Sequence, residues 1–124
     1  MTTTNTQTAQ EESVSKGAQI IATERLRQLT VEGWTPEHDD AHAAGELAQA
    51  AACYAWPAPR PIEVKKAWPW QLSDWKPELY GVPGATAQEK TAARIRVLAK
   101  AGALLAAEID RLDRTLPDPP TEQS

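Results

Sequence analysis

Apolar residues recur at helical spacing in three segments of this chain, and the pattern predicts an all-α fold. The first segment covers about 15–32, where apolar side chains three or four residues apart form one stripe that also contains Arg25. The second covers about 40–55, after a short turn at Thr35, and the third about 86–114. A charge on an apolar stripe must be paired or lie at its edge, so Arg25 is expected to be in one of these situations.

The third segment carries the clearest helix signals. Thr86 and Glu89 fit a capping box, and apolar positions then alternate spacings of three and four, as in a heptad seam. A helix over 86–114 would extend about 40 Å and overhang a domain with a radius of gyration of about 13 Å. We therefore expect a homo-oligomer in which a second copy covers the last helix. The seam consists of Ile95, Leu98, Gly102, Leu105, Ile109 and Leu112.

The segment between the second and third helices has a different composition. Six prolines lie between Trp56 and Gly84, and prolines interrupt helices. The same segment contains Trp68, Trp70 and Trp75, so we predict a long ordered loop held by its aromatic side chains. A β-hairpin within 62–66 is only weakly indicated.

The two ends of the chain lack the apolar side chains that a core needs. Residues 1–14 are rich in Thr, Gln and Glu, and residues 116–124 are rich in Pro and polar side chains. Such segments cannot bury enough surface to offset the entropy lost on ordering. We predict two disordered tails around one helical domain over 15–115.

Charge and composition narrow the classes of partner. The formal net charge of −4 argues against nucleic acid as a partner, because phosphate neutralisation needs a basic surface. No apolar run approaches the roughly 20 residues of a membrane span, and the start of the chain does not resemble a signal peptide. A single cysteine, Cys53, has no second thiol for an internal disulfide and fits a reducing compartment. The sequence predicts a cytoplasmic protein that binds no membrane.

Both histidines and five carboxylates lie within EGWTPEHDDAHAAGEL, residues 32–47. On one continuous helix, His38, His42 and Glu46 would share a face, and adjacent pairs could bind one metal ion. All three could not, because eight residues span about 12 Å. A divalent metal bound by His42, Glu46 and Asp39, with ligands from elsewhere, is one interpretation. In the other, the carboxylates cap a helix and His42 is structural; no other cofactor is expected.

Basic residues cluster outside this acidic segment. Tryptophan next to Lys and Arg suits a nucleotide-like anion, because the ring stacks on the base and the cations pair with phosphates. In the alternative interpretation, the tryptophans fill the core in place of the missing Phe and the cations are solvated. The basic residues are Arg25, Arg27, Arg60, Lys65, Lys66, Lys76, Arg94, Arg96 and Lys100.

Three runs of sequence carry a resemblance to a known family. They are ERLRQLTVEGWTPEHDDAHAAGELAQAAACYA, WPWQLSDWKP and RIRVLAKAGALLAAEIDRLDR, and the signature is EGWTPEHDD followed by His42 and GEL. Over about 20–114 the chain resembles a family of small proteins encoded by bacteriophages and prophages. The resemblance implies a viral source and no particular reaction. Small non-structural phage proteins with a pocket commonly act against host defence, by sequestering a nucleotide-derived signal or by blocking a host protein.

Together these observations predict a small phage-type protein that binds a nucleotide-like ligand without turnover in the host cytoplasm. The pocket is predicted between the acidic segment and the Trp-rich loop. Trp34 and Trp75 would stack on the base, Asp39 and His42 would bond ribose hydroxyls, and two arginines with Lys76 would meet the phosphates. The predicted site comprises Arg25, Arg27, Trp34, His38, Asp39, His42, Glu46, Trp75 and Lys76.

Two alternatives stay open at this point. The first is a metal-dependent nucleotide pyrophosphohydrolase, although the paired E-x-x-E and E-x-x-D helices of all-helical enzymes of that type are not seen. The second is an interaction module that inhibits a host protein, in which Trp68, Trp70 and Trp75 form the binding surface.

Overall fold

The computed structural model describes residues 14–56, 66–71 and 84–118, and these contain four helices and no strand. The predicted all-α fold is confirmed. Within the described residues, no helix is both long enough and apolar enough to cross a membrane. The helices are α1 (Lys16–Thr30), α2 (Pro36–Asp40), α3 (Glu46–Ala55) and α4 (Ala87–Thr115).

The first and last helices begin and end within two residues of their predicted bounds. Ser15 caps α1, where its hydroxyl accepts a hydrogen bond from the backbone N–H of Ala18 at 3.1 Å. At the start of α4, the Thr86 hydroxyl accepts from the Glu89 N–H at 3.0 Å, and the Glu89 carboxylate accepts from the Thr86 N–H at 2.8 Å. The predicted capping box is confirmed.

The second helix, predicted over about 40–55, starts later than predicted. Thr35 caps the short helix α2, which ends at Asp40. Gly45 then has a φ of 87° and precedes Glu46, the first residue of α3. A left-handed residue breaks the helical hydrogen-bond pattern, so α3 begins at Glu46 instead of near Asp40, and the turn predicted at Thr35 is the separate short helix α2.

The core lies between α3 and α4, which run antiparallel. The Arg94 guanidinium, near the start of α4, donates to the carbonyls of Tyr54 and Ala55 at the end of α3. The charge of Glu46, at the start of α3, acts on Arg111 near the end of α4. The predicted buried face of α3 is confirmed, and it consists of Leu47, Ala50, Ala51 and Tyr54.

Two further side chains among the described residues belong to this core. Cys53 is buried, as predicted for a small core residue, and burial raises the pKa of its thiol. Trp68, from the described part of the Trp-rich loop, is also buried and packs edge-on against Tyr54 with ring centroids 5.5 Å apart. The core role assigned to tryptophan as an alternative therefore holds for Trp68.

The apolar seam predicted on the last helix does not face the core. Its five large side chains are 43–65% exposed, and only Gly102 is covered, by the side chain of Ile21 from α1. The α4 residues that pack against α3 are smaller: an alanine-rich set with Val97 and Leu104. Alanine allows close approach of two helix backbones, so α3 packs on this side and leaves the larger residues outside.

Candidate functional site

The predicted site residues of the acidic segment come together around a row of rings. Trp34 stacks on His38 with an interplanar angle of 3°, and His38 meets His42 edge-on with ring centroids 5.0 Å apart. His42 lies 5.0 Å from Trp70, which in turn meets Trp68. The contact between His42 and Trp70 joins the acidic segment to the Trp-rich loop, where the sequence predicted a cleft.

Asp39 is the buried centre of this cluster, with 1% of its surface exposed. One carboxylate oxygen accepts from Arg25 at 3.1 Å and the other lies 3.1 Å from Nδ1 of His38. His42 has a looser partner, because its Nδ1 lies 3.6 Å from the Glu46 carboxylate.

Arg25 has a charged partner, which is one of the two situations predicted for a charge on the apolar stripe. Its guanidinium is mostly buried between Asp39 and, at 3.8 Å, Asp110 of α4. Nε and Nη1 of Arg25 and the side-chain oxygen of buried Gln28 are among the buried polar atoms without a hydrogen bond in the described part of the chain. Arg25 therefore ties α1, α2 and α4 together through carboxylates.

Arg27 is also engaged by carboxylates. It makes a two-pronged contact with Glu24, at 2.8 and 2.9 Å, and a further one with Glu32 at 3.2 Å. The hydrogen bond to Glu24 is the largest cause that raises the pKa of Arg27 above its ordinary value. A phosphate bound at Arg27 would have to compete with these two carboxylates.

Several predicted residues lie outside the described residues. They are Trp75, Lys76, Arg60 and Lys65, together with residues 62–65 of the weakly indicated hairpin, residues 1–13 of the first tail and residues 119–124 of the second.

The donor set suggested for a metal does not converge in the described ranges. Asp39 faces Arg25 and His38, whereas Glu46 faces His42 and accepts from the Ala44 N–H at 2.7 Å. Among residues 14–56, 66–71 and 84–118, no three His, Cys, Asp or Glu side chains lie close enough to hold one metal ion.

A groove of about 740 Å³ lies between α1 and α4, a volume typical of small-molecule sites. Ile20 and Ile95 supply part of its apolar lining, and Gln19 and Thr23 add polar groups. A ligand in this groove would also contact four cationic side chains and two carboxylates. The charged residues are Lys16, Arg27, Arg96, Lys100, Glu24 and Glu32.

Arg27, Arg96 and Lys100 are among the basic residues that the sequence pointed to, but their meeting in one groove was not predicted. Lys16 was not predicted as a site residue. The signal on α1 is present in the sequence. Lys16, Ile20 and Arg27 are four and seven residues apart, which places them on one helical face. The matching face of α4 becomes apparent only when the two helices are packed together.

The pKa of Glu46 is lowered from its ordinary value, first by its own backbone N–H and then by the Ala44 N–H and by His42. Its ionised form therefore favours the folded state above the unfolded-state pKa, and this contribution is lost as pH falls through the folded-state pKa. We expect NMR titration of the Glu46 carboxyl carbon to show a lowered pKa. His42→Ala should remove only a small part of the shift, and a Glu46 pKa at or above the ordinary value would contradict this interpretation.

No protein-family model, curated protein or solved structure matches this chain. The function is therefore argued from two local features, the ring and carboxylate cluster around Asp39 and the charged groove between α1 and α4. The polar groups of the first are engaged with one another inside the fold, whereas the second surrounds open volume with four cations, of which Arg27 is paired with Glu24 and Glu32. The groove is the better candidate for a ligand.

Proposed function

We propose that this protein binds a nucleotide-like anion in the groove between α1 and α4 without turning it over. One observation carries the proposal: Lys16, Arg96 and Lys100 line the same groove as the apolar side chains of Ile20 and Ile95. Cations provide charge-assisted hydrogen bonds to phosphate oxygens, and an apolar surface accommodates the face of a base. The groove volume of about 740 Å³ is large enough for a ligand of this class.

The proposal keeps the ligand class predicted from the sequence and moves the site. Among the described members of the predicted site, Arg27 lines the groove. Arg25, Asp39 and His38 instead form a connected polar group. Their proposed role is to hold α1 and α2 against α4, so that the groove keeps its shape.

The resemblance to phage proteins suggests what such binding would achieve. A small protein that retains a nucleotide-derived signal of host defence, in the host cytoplasm, would act by stoichiometric capture and would need no catalytic step. A homo-oligomer through α4 is a second proposal, and it shares one residue with the groove, because Ile95 lines the groove and also lies among the exposed apolar residues of α4.

The first test of this function is calorimetry with nucleoside diphosphates, cyclic nucleotides and ADP-ribose. We expect one of these to bind and to be recovered chemically intact. Lys16→Glu should weaken binding about tenfold, the equivalent of about one charge-assisted hydrogen bond. Lys90→Glu is the matched control, because Lys90 is exposed near the start of α4 and does not line the groove; it should leave affinity unchanged.

Three results would overturn the proposal. The first is that none of the three ligand types binds at concentrations up to about 1 mM. A dissociation constant of about 1 mM corresponds to a binding free energy of only about 4 kcal/mol. The second is an equal loss of affinity in Lys16→Glu and Lys90→Glu, which would indicate attraction by overall charge. The third is a ligand recovered in hydrolysed form, which would favour the enzymatic alternative.

A further inference from the structure

Helix α4 has apolar side chains on three sides, and the other helices that the structure describes cover two of them. The side with Val97 and Leu104 packs against α3. A second side meets α1, where Ile21 contacts Gly102 and Arg25 reaches Asp110. A contiguous exposed apolar patch on a protein surface often marks an interaction site.

The third side carries the largest exposed apolar residues of α4. At 100° per residue, it lies about 110° around the axis from the side that faces α3. We call this set the outer stripe. It consists of Ile95 (45% exposed), Leu98 (43%), Leu105 (47%), Ile109 (65%) and Leu112 (48%).

We propose that the outer stripe is the docking surface for a second copy of this chain, which binds with the two α4 helices antiparallel. The spacing of the stripe is complementary to itself in that orientation. With a twofold axis between Ala103 and Leu104, Ile95 is opposite Leu112 and Leu98 is opposite Ile109. Leu105 is opposite Gly102, which Ile21 of the same chain covers, so Leu105 of one copy would meet Ile21 of the other at this point.

The charges of α4 favour the same orientation. Its first half carries a positive excess, whereas its second half carries a slight negative excess. An antiparallel pair aligns the two halves with opposite sign, whereas a parallel pair would align like with like. The first half contains Glu89, Lys90, Arg94, Arg96 and Lys100, and the second contains Glu108, Asp110, Arg111, Asp113 and Arg114.

Sedimentation velocity over a range of protein concentrations tests the interface. We expect the wild-type chain to dimerise and Ile109→Glu to weaken dimerisation about a hundredfold or more, because each interface would bury two unpaired carboxylates. Leu26→Glu is the matched control, since Leu26 is 59% exposed on α1 and lies outside the stripe. It should dimerise as the wild type does, and circular dichroism should show both variants folded.

Disulfide trapping tests the orientation. Leu98→Cys mixed with Ile109→Cys should form a mixed disulfide under mild oxidation much faster than either variant alone, and Cys53 is buried away from this reaction. Faster linkage of Leu98→Cys to itself would indicate a parallel pair and overturn the proposal. So would a wild-type chain that stays monomeric up to about 1 mM, which would leave the stripe to a different protein. Equal dimerisation by Ile109→Glu and wild type would also contradict it.

Discussion

Replacing Asp39 with alanine is expected to lower the free energy of unfolding by about 3–5 kcal/mol. The Asp39 carboxylate is almost fully buried, and it accepts from Arg25, whose side chain is 13% exposed. Its removal leaves the guanidinium mostly buried, with a more distant contact to Asp110 at 3.8 Å. Urea denaturation followed by tryptophan fluorescence would measure the loss. This should be among the most destabilising single substitutions in the chain.

The neighbouring carboxylate provides a control for the Asp39 experiment. Asp40 also pairs with an arginine, at 2.8 Å from Arg114, but its side chain is 55% exposed. Exposed pairs contribute about 0–1 kcal/mol, so Asp40→Ala should cost less than about 1 kcal/mol. Similar losses for Asp39→Ala and Asp40→Ala would show that burial of the Asp39 pair does not matter.

A double substitution separates the pair from its surroundings. The double variant that combines Arg25→Met with Asp39→Leu removes both buried charges together. We expect this double variant to be more stable than Asp39→Ala alone, because no uncompensated charge is left inside. If the double variant is no more stable than Asp39→Ala, the lost free energy of unfolding comes from other contacts of Asp39, such as the one with His38.

The second large effect is expected from the core between α3 and α4. Leu47 is 1% exposed and belongs to the cluster that contains Trp68 and Leu104. Leu47→Ala should lower the free energy of unfolding by about 2–5 kcal/mol, because it removes buried methyl groups and leaves a cavity. Thermal unfolding by calorimetry, checked for reversibility, would measure this change.

The same substitution at an exposed leucine is the control for Leu47. Leu26 lies on α1 with 59% of its surface exposed, and Leu26→Ala should change stability by no more than about 0.5 kcal/mol. A loss at Leu26 as large as that at Leu47 would mean that Leu26 is covered in solution. Leu26→Glu would then no longer be a valid control for the outer stripe.

The sequence predicted that several residues of the cluster around Asp39 would lie close together. Trp34, His38 and His42 were expected in one place because they lie close together in the chain, and local spacing brings them into contact. The helix that was expected from about Asp40 begins at Glu46, because Gly45 before it is left-handed. Its left-handed conformation turns the chain, so that His42 can face both Glu46 and Trp70.

The role of the arginines could not be deduced from spacing. Arg25 was expected to be paired or to lie at an edge, and its pairing with Asp39 and Asp110 required contacts from two other helices. Arg27 was assigned to a phosphate, but Glu24, three residues earlier, is already within reach on the same helical face. The i, i+3 spacing of Glu24 and Arg27 by itself predicts this contact.

What the sequence determined by itself is local. The helix bounds of α1 and α4, the capping box at Thr86 and the buried face of α3 follow from periodicity and from side chains within a few residues of one another. Such features depend on interactions between near neighbours, which a pattern along the chain records directly.

Tertiary structure alone decided which face of α4 is inside. Its periodicity marks both an alanine-rich face and a leucine-rich face, and either could have met α3. Close approach of the two backbones selects the alanines, which leaves Leu105 and its neighbours outside and opens a charged groove beside α1. Both proposed binding surfaces arise from this packing, because a helix's own sequence does not specify which of its apolar faces another helix will cover.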